Sequence, residues 1–326
     1  MSHTKIALDS LPAQFTEQVD AFICSASFEK RSTVIPSSLN RENIDRTIIF
    51  ANKVGYTSLI DETAEQLKAM FGERATIASV AMENPLTVAD RLQHELLHLK
   101  PRSTNTFAID ITSFTHESLL IVLRVLREYV RPPDKVFCLY NGATDYSTGL
   151  PPDQKWLTKG VGEIRSVLGY PGRIIPTQKI HLIVLVGFET ERAERIIAAY
   201  EPSELSLGYG SPLESISLPL HNLNKKFHKK LSDRYKNVSD FTFSCEDAIA
   251  AKIAVQKRVE SRNGFNVFIA PMNTKVSTVG VALAALENPA IQLCYATAEQ
   301  YNFEAYSTPS DQCYLFEAPL LAPVGV

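Results

Sequence analysis

The chain has 326 residues, 45 % of them apolar, with 33 Lys+Arg against 36 Asp+Glu and a formal net charge of −3. That composition excludes a disordered or fibrous chain, and the near-neutral balance excludes a protein that coats nucleic acid by bulk charge. No apolar run approaches the ~18 residues of a membrane span, and Met1 to Leu8 has no apolar signal core, so a soluble, cytoplasmic protein is expected.

Short apolar runs alternate with amphipathic stretches from the start. Ala21–Ser25, Thr47–Ala51, Thr76–Val80, Thr106–Asp110 and Lys135–Tyr140 read as strands. Ser58–Phe71, Leu86–Leu99 and Glu117–Tyr129 read as helices between them. Short strands separated by helices of about 10–15 residues predict βαβ units on a parallel sheet. Such a sheet is buried on both faces, which accounts for runs with little alternation.

Residues 148–178 break the rhythm with Pro151, Pro152, Pro171, Pro176 and glycines that include Gly160, Gly162, Gly169 and Gly172, and read as a linker with a short helix around Val161–Leu168. The pattern then restarts. Ile180–Val186, Leu205–Leu207, Phe241–Cys245, Asn266–Ala270 and Ile291–Tyr295 read as strands, with helices over Glu191–Tyr200, Ala248–Glu260 and Ser277–Leu286. The boundaries expected are a first half over 1–147, the linker, and a second half over 179–326.

The two halves match at their strand ends. Phe28-Glu29 answers Phe188-Glu189, Glu83 answers Glu246, Thr115 answers Thr274, and Tyr140 answers Tyr295. The offsets are 160, 163, 159 and 155 residues, and a second tyrosine follows six positions later in both halves, at Tyr146 and Tyr301. Four matches in register imply a duplication, hence two Rossmann-like halves in pseudo-twofold relation. Ligands of open parallel sheets bind beyond the carboxyl ends of the strands, where helix N-termini converge. The matched polar residues therefore either line a pocket or an interface between the halves, or cap helices, as Thr115 and Thr274 are placed to do.

The segment Asn266–Tyr295 carries a more specific pattern. A strand ends in Ala270-Pro271-Met272-Asn273-Thr274-Lys275, a small-residue helix follows, and another strand closes on Tyr295. This resembles the CRISPR-associated Rossmann fold (CARF) domains, and two such halves in one chain resemble the fused SAVED sensors. The resemblance implies a nucleotide-type ligand, such as a cyclic oligonucleotide, sensed in bacterial antiviral defence together with a partner effector or in a homodimer. It implies a ligand-binding turn at Asn273, Thr274 and Lys275 and a second loop at Gly187, Phe188 and Glu189. In this chain Ala270-Pro271-Met272 stands where the family has glycines, and His116 stands where the second half has Lys275.

On that reading Lys275 meets phosphate, and Tyr140 and Tyr295 stack on bases. Glu29, Glu83, Glu189 and Glu246 fit poorly beside an anion unless they read donors or hold a cation. Phe28, Glu29, Thr115, Glu246 and the residues just named complete the candidate site. Two other functions stay open: a hydrolase of the bound nucleotide, with Glu246 or His116 as base, or a non-catalytic subunit that docks a larger effector. No cofactor is implied beyond the ligand.

Three further features carry chemistry. His94-Glu95-Leu96-Leu97-His98 is an H-E-x-x-H string, which on a helix would place two zinc ligands and a base on one face. The expected βαβ setting, the early stop at Lys100-Pro101 and the stripe Leu92, Leu96, Leu99 instead predict an ordinary packed helix. Lys225, Lys226, Lys229 and Lys230 form the concentrated basic stretch, either a nucleic-acid contact or a solvated helix face. The five cysteines, Cys24, Cys138, Cys245, Cys294 and Cys313, contain no C-x-x-C pair, so buried reduced thiols are expected.

Overall fold

The computed structural model describes residues 3–14, 16, 18–53, 57–100, 102–147, 150–151 and 154–321. Met1, Pro101, Thr148, Pro152 and residues 322–326, which bound or fall within expected segments, lie outside the described residues. The chain forms two units. One is Met1–Thr144 with Ser307–Val326; the other is Asp145–Tyr306.

The first unit begins with β1 (Thr4–Ala7), β2 (Ala21–Ala26), α1 (Val34–Ser38), β3 (Thr47–Lys53), α2 (Thr57–Phe71) and β4 (Ala75–Ala81). It continues with α3 (Leu86–Leu96), β5 (Thr106–Asp110), α4 (His116–Tyr129), β6 (Lys135–Tyr140) and β7 (Ala143–Tyr146). β2 to β6 are parallel in the order β4-β3-β2-β5-β6. Every residue of β2 is buried, as the unbroken apolar run requires of a central parallel strand. One face packs Phe22, Cys24, Ile49, Ala108 and Leu139 against Ile60, Leu67 and Phe71 of α2. Each such large side chain, buried from water, contributes roughly 1.5–3 kcal/mol.

The second unit holds β8 (Thr158–Lys159), β9 (Ile164–Pro171), β10 (Lys179–Leu185), α5 (Thr190–Tyr200), β11 (Glu204–Gly210) and α6 (Leu218–Ser232). It continues with β12 (Val238–Phe243), α7 (Ala248–Glu260), β13 (Phe265–Pro271), α8 (Lys275–Glu287), β14 (Gln292–Ala296) and β15 (Gln300–Tyr301). Its sheet runs β12-β11-β10-β13-β14-β9, with β9 alone antiparallel. The chain then returns to the first unit with β16 (Ser307–Pro309) and β17 (Gln312–Glu317).

The parallel strands of the two units have the same order, third-second-first-fourth-fifth, the Rossmann-like arrangement. Beyond the fifth strand the second sheet gains one antiparallel strand and the first gains two, β17 and then β1, and the strands next to the fifth are connected reciprocally. β17 pairs with β6, yet in the chain it follows the fifth strand of the second unit. β9 pairs with β14, yet it follows the fifth strand of the first unit. The tail of each repeat completes the sheet of the other.

This corrects three expectations. Residues 148–178 contribute a sheet strand rather than only a linker, and Val161–Leu168 is not helical but runs into β9. In β9 only Val167 and Tyr170 are fully buried, three positions apart. A register shift against β14 and Gly169 at φ 87° break the two-residue alternation, so the strand imitates helical spacing. The second unit is also continuous only to Tyr306, not to residue 326.

Candidate functional site

In both sheets the chain reverses direction across the first strand, which lies between the second and fourth. The loops after the first and fourth strands therefore flank a topological switch point, where open α/β sheets bind ligands. In the second unit these are Val186–Glu189 after β10 and Met272–Thr274 after β13.

They are pressed together backbone to backbone. A Cβ on Gly187 would stand 1.9 Å from the Met272 carbonyl oxygen, so no other residue fits there. Asn273 Nδ2 donates to the Val186 carbonyl at 2.6 Å, and Asn273 Oδ1 accepts from the Thr274 amide at 2.9 Å. Asn224 of α6 supports the same loop, donating to Val186 O at 2.8 Å and accepting from Gly210 N at 2.9 Å. Thr274 caps α8, accepting from Ser277 N at 3.2 Å and donating to Cys245 O at 2.7 Å. Lys275 is the first residue of α8 and half-buried. Gly187, Phe188, Asn273, Thr274 and Lys275 are thus brought to one place, as the sequence predicts. The side chains of Asn273 and Thr274 are engaged within the protein.

Glu189 has an unexpected role. Its carboxylate pairs with Arg192 at 2.7 Å, both side chains under 10 % exposed, and accepts a hydrogen bond from Thr158 of β8. Arg192 donates to the carbonyl of Ala296, the residue after Tyr295, at 2.9 Å through Nε. The first unit repeats the device. Glu29 pairs with Arg31 at 2.6 Å and accepts from Ser307 of β16 at 2.8 Å, while Arg31 donates to the carbonyl of Asn141, the residue after Tyr140, at 3.0 Å. In each unit a buried Glu–Arg pair ties the first strand's loop to the fifth strand and to a tail from the other repeat. Burial opposes the charge on Arg192 most strongly, but Glu189 together with Tyr295 and Tyr301 more than offsets it and keeps the guanidinium protonated. These two glutamates are therefore neutralised within the fold.

Other residues at the strand ends are structural too. Asp247 caps α7, accepting from Ile249 N and Ala250 N, and Asn84 accepts from Leu86 N at the start of α3. Thr115 caps α4, accepting from Ser118 N. Tyr140 and Tyr295 are buried, Tyr140 beside Tyr314 and Tyr295 under the Arg192 guanidinium at 5.1 Å. Stacking of either ring on a base is corrected accordingly, because the faces are covered. Phe188 offers an aromatic alternative: it is half-buried at the switch point, edge-on to Tyr146 at 5.4 Å and tilted to Phe227 at 5.8 Å. Phe28 is half-buried in the first unit, Glu83 is exposed and Glu246 half-buried. His116 is buried in the first unit while Glu246 belongs to the second.

The first unit's switch point differs in charge. Asp110 ends β5, is buried, and accepts from the Thr112 amide through Oδ1 at 3.0 Å. Its Oδ2 has no partner. Burial pushes its carboxyl up to about 7; the nearby Arg31 and Glu29 act in opposite directions. The end of β13 holds no carboxylate. The cysteines are all buried and reduced; burial pushes the Cys245 thiol up to about 12, so it is no nucleophile at neutral pH.

In the H-E-x-x-H string the rings of His94 and His98 lie 4.7 Å apart, but the glutamate is turned away to another partner. α3 ends at Leu96, before His98, and Glu95 is buried in an ion pair with Arg46, where that partner holds its carboxyl below the usual range against the opposing effect of burial. Among the described residues no group of three His, Cys, Asp or Glu side chains is placed to hold a metal. Lys225, Lys226, Lys229 and Lys230 lie on the exposed face of α6, with Lys229 paired to Asp233 at 2.9 Å. No described helix is long and apolar enough to cross a membrane.

No protein-family model matches the chain, and no curated protein sequence matches it. Among solved structures, the pyocyanin biosynthetic protein PhzM is similar at 14 % identity and TM-score 0.23, over 44 % of this chain and 38 % of that one. A phosphoethanolamine N-methyltransferase from Haemonchus contortus, in complex with phosphoethanolamine and S-adenosylhomocysteine, is similar at 7 % identity and TM-score 0.25, over 86 % and 76 % of the chains. AtPrR2 with NADP+ and (+)pinoresinol is similar at 10 % and 0.25, over 77 % and 84 %. Likeness at this level assigns neither ligand nor reaction. The class the chain's own structure defines is a pair of Rossmann-like α/β units with exchanged edge strands.

Proposed function

We propose that the protein binds a nucleotide-type anion at the switch point of its second unit and passes that signal to a partner protein. The observation that carries this is the contact of Gly187 with the Met272 carbonyl, which fixes two strand-end loops beside the N-terminus of α8, where Lys275 is the first helical residue. A helix N-terminus and an ammonium group both favour a phosphate. The nearest carboxylate of the loop, Glu189, is already matched by Arg192, so it does not repel the ligand. Phe188 supplies a ring for a base. Cyclic oligonucleotides, and a role in antiviral defence, are the class to which the CARF-like sequence pattern directs the reading.

A thermal-shift panel of cyclic di-, tri- and tetranucleotides, linear oligoadenylates, NAD and ATP tests it. A ligand at a hundredfold excess over its Kd stabilises the folded protein by about 2.7 kcal/mol. A shift with one nucleotide class, lost in Lys275→Ala, is expected. A flat panel on folded protein would leave the non-catalytic docking subunit as the better reading.

A further inference from the structure

A groove lies at the outer edge of the second unit's sheet, on the β12 side. It has a volume of about 470 Å³, within the range of small-molecule pockets. Edge strand β12 supplies Phe241 and Thr242. Helix α7 supplies Ala250, Ile253 and Ala254, then Lys257 and Arg258 at one end. The trench exists because alanines stand one turn apart on the helix face that borders it. Ile253 is 45 % exposed, which leaves an apolar wall open to water.

The basic end carries more positive than negative charge in direct contact with the groove. Arg258 Nε donates to Ser206 Oγ at 2.7 Å, but Nη2 is shut off from solvent with no hydrogen-bond partner. Among the described residues no carboxylate pairs with Arg258 or Lys257. Two acids act on Arg258 from beside it: Glu204, which pairs with Arg262 at 3.3 Å, and Asp240, whose carboxylate lies 3.2 Å from His228 Nε2. Arg262 adds a like charge beside Arg258. Across Ser206 lies His181, with Nε2 2.7 Å from the hydroxyl. Burial first, then Arg258 and Arg262, press its imidazole down to about 4. A half-buried guanidinium that lines an open groove beside a like charge gains from an anion placed there.

We propose that this groove binds a small amphipathic anion, its apolar body along Ala250, Ile253 and Ala254 and its carboxylate or phosphate head held by Arg258 and Lys257. From Ala250 to Arg258 the helix rises roughly 12 Å, at about 1.5 Å per residue, which sets the length of the body to that of a medium acyl chain. The planar guanidinium accepts either head group. The site is separate from the switch point, so it stands or falls independently of nucleotide binding.

Calorimetric titration of the whole chain with decanoate, decyl phosphate and decanol tests the assignment. One anion site per chain is expected, with decanol at least about tenfold weaker because it brings no charge to Arg258. Arg258→Gln lowers anion affinity by about tenfold or more, and Ala254→Phe, which fills the trench, abolishes binding while the chain stays folded by circular dichroism. Preference for decanoate or for decyl phosphate names the head group. Failure of both anions to bind, decanol binding as tightly as they do, or affinity unchanged in both variants would overturn the proposal.

Discussion

Asp110 gives the sharpest stability prediction. Its carboxyl ends β5 in a buried site and is pushed up by burial from 3.8 to about 7, and Oδ2 has no partner. The unfolded chain ionises Asp110 above about 3.8, whereas the folded chain keeps the proton until about 7. The folded state is therefore favoured fully below 3.8, and that advantage is lost as pH rises toward 7. The interval is worth about 4 kcal/mol at roughly 1.36 kcal/mol per pKa unit. Asp110→Asn cannot ionise and keeps an oxygen for the Thr112 amide, but its new amide nitrogen faces the place where Oδ2 lacks a partner, at a cost of about 1–3 kcal/mol. That cost does not vary with pH. The stability of the variant relative to the natural chain should thus rise by about 3–4 kcal/mol between pH 4 and pH 8. Urea titration read by hydrogen exchange of β5 and β6 peptides isolates the first unit. A variant-to-natural difference that stays constant over that range would show that Asp110 is already ionised in the fold, and would refute the reasoning.

Three further outcomes follow from the same contacts. Arg192→Met leaves Glu189 buried without its cation and should destabilise the second unit by about 3–5 kcal/mol, with much of the loss recovered when Glu189→Gln is added; additive losses in a double-mutant cycle would contradict the pairing. Gly187→Ala drives a Cβ into the Met272 carbonyl and should cost at least about 2 kcal/mol in urea titration; a neutral result would mean the loops are not in contact. Cutting the chain between Pro151 and Gln154 should leave two pieces that co-elute under native conditions, because β17 of the second piece is hydrogen-bonded to β6 of the first; separation without denaturant would exclude the exchanged strand.

The parallel strands were legible because a buried strand shows a run of apolar residues that needs no alternation. Thr106–Asp110 and Lys135–Tyr140 match the structure to the residue, as does α7. The antiparallel edge strands were not. β1 is short and largely exposed, and β9 carries a bulge that spaces its buried residues like a helix. β17 pairs with a strand some 170 residues earlier, a distance over which no local pattern reports. The candidate site divides in the same way. The repeat located the strand-end loops and the tyrosines correctly, but it could not separate residues that contact a ligand from residues that hold the loops. Glu29 and Glu189 read as an obstacle to anion binding only while Arg31 and Arg192, two and three positions on, were not seen as their partners. The i+2 and i+3 spacing of those arginines was the available signal. The groove at Arg258 had none, since it depends on what lies opposite α7.

The central claim, that the second unit's crevice takes a nucleotide-type anion, is tested most directly by hydrogen-exchange mass spectrometry with the strongest binder of the nucleotide panel at saturation. Protection confined to peptides spanning Gly187–Glu189 and Met272–Lys275, and absent in Lys275→Ala, is the expected result. Protection elsewhere with those two loops unchanged would contradict the claim.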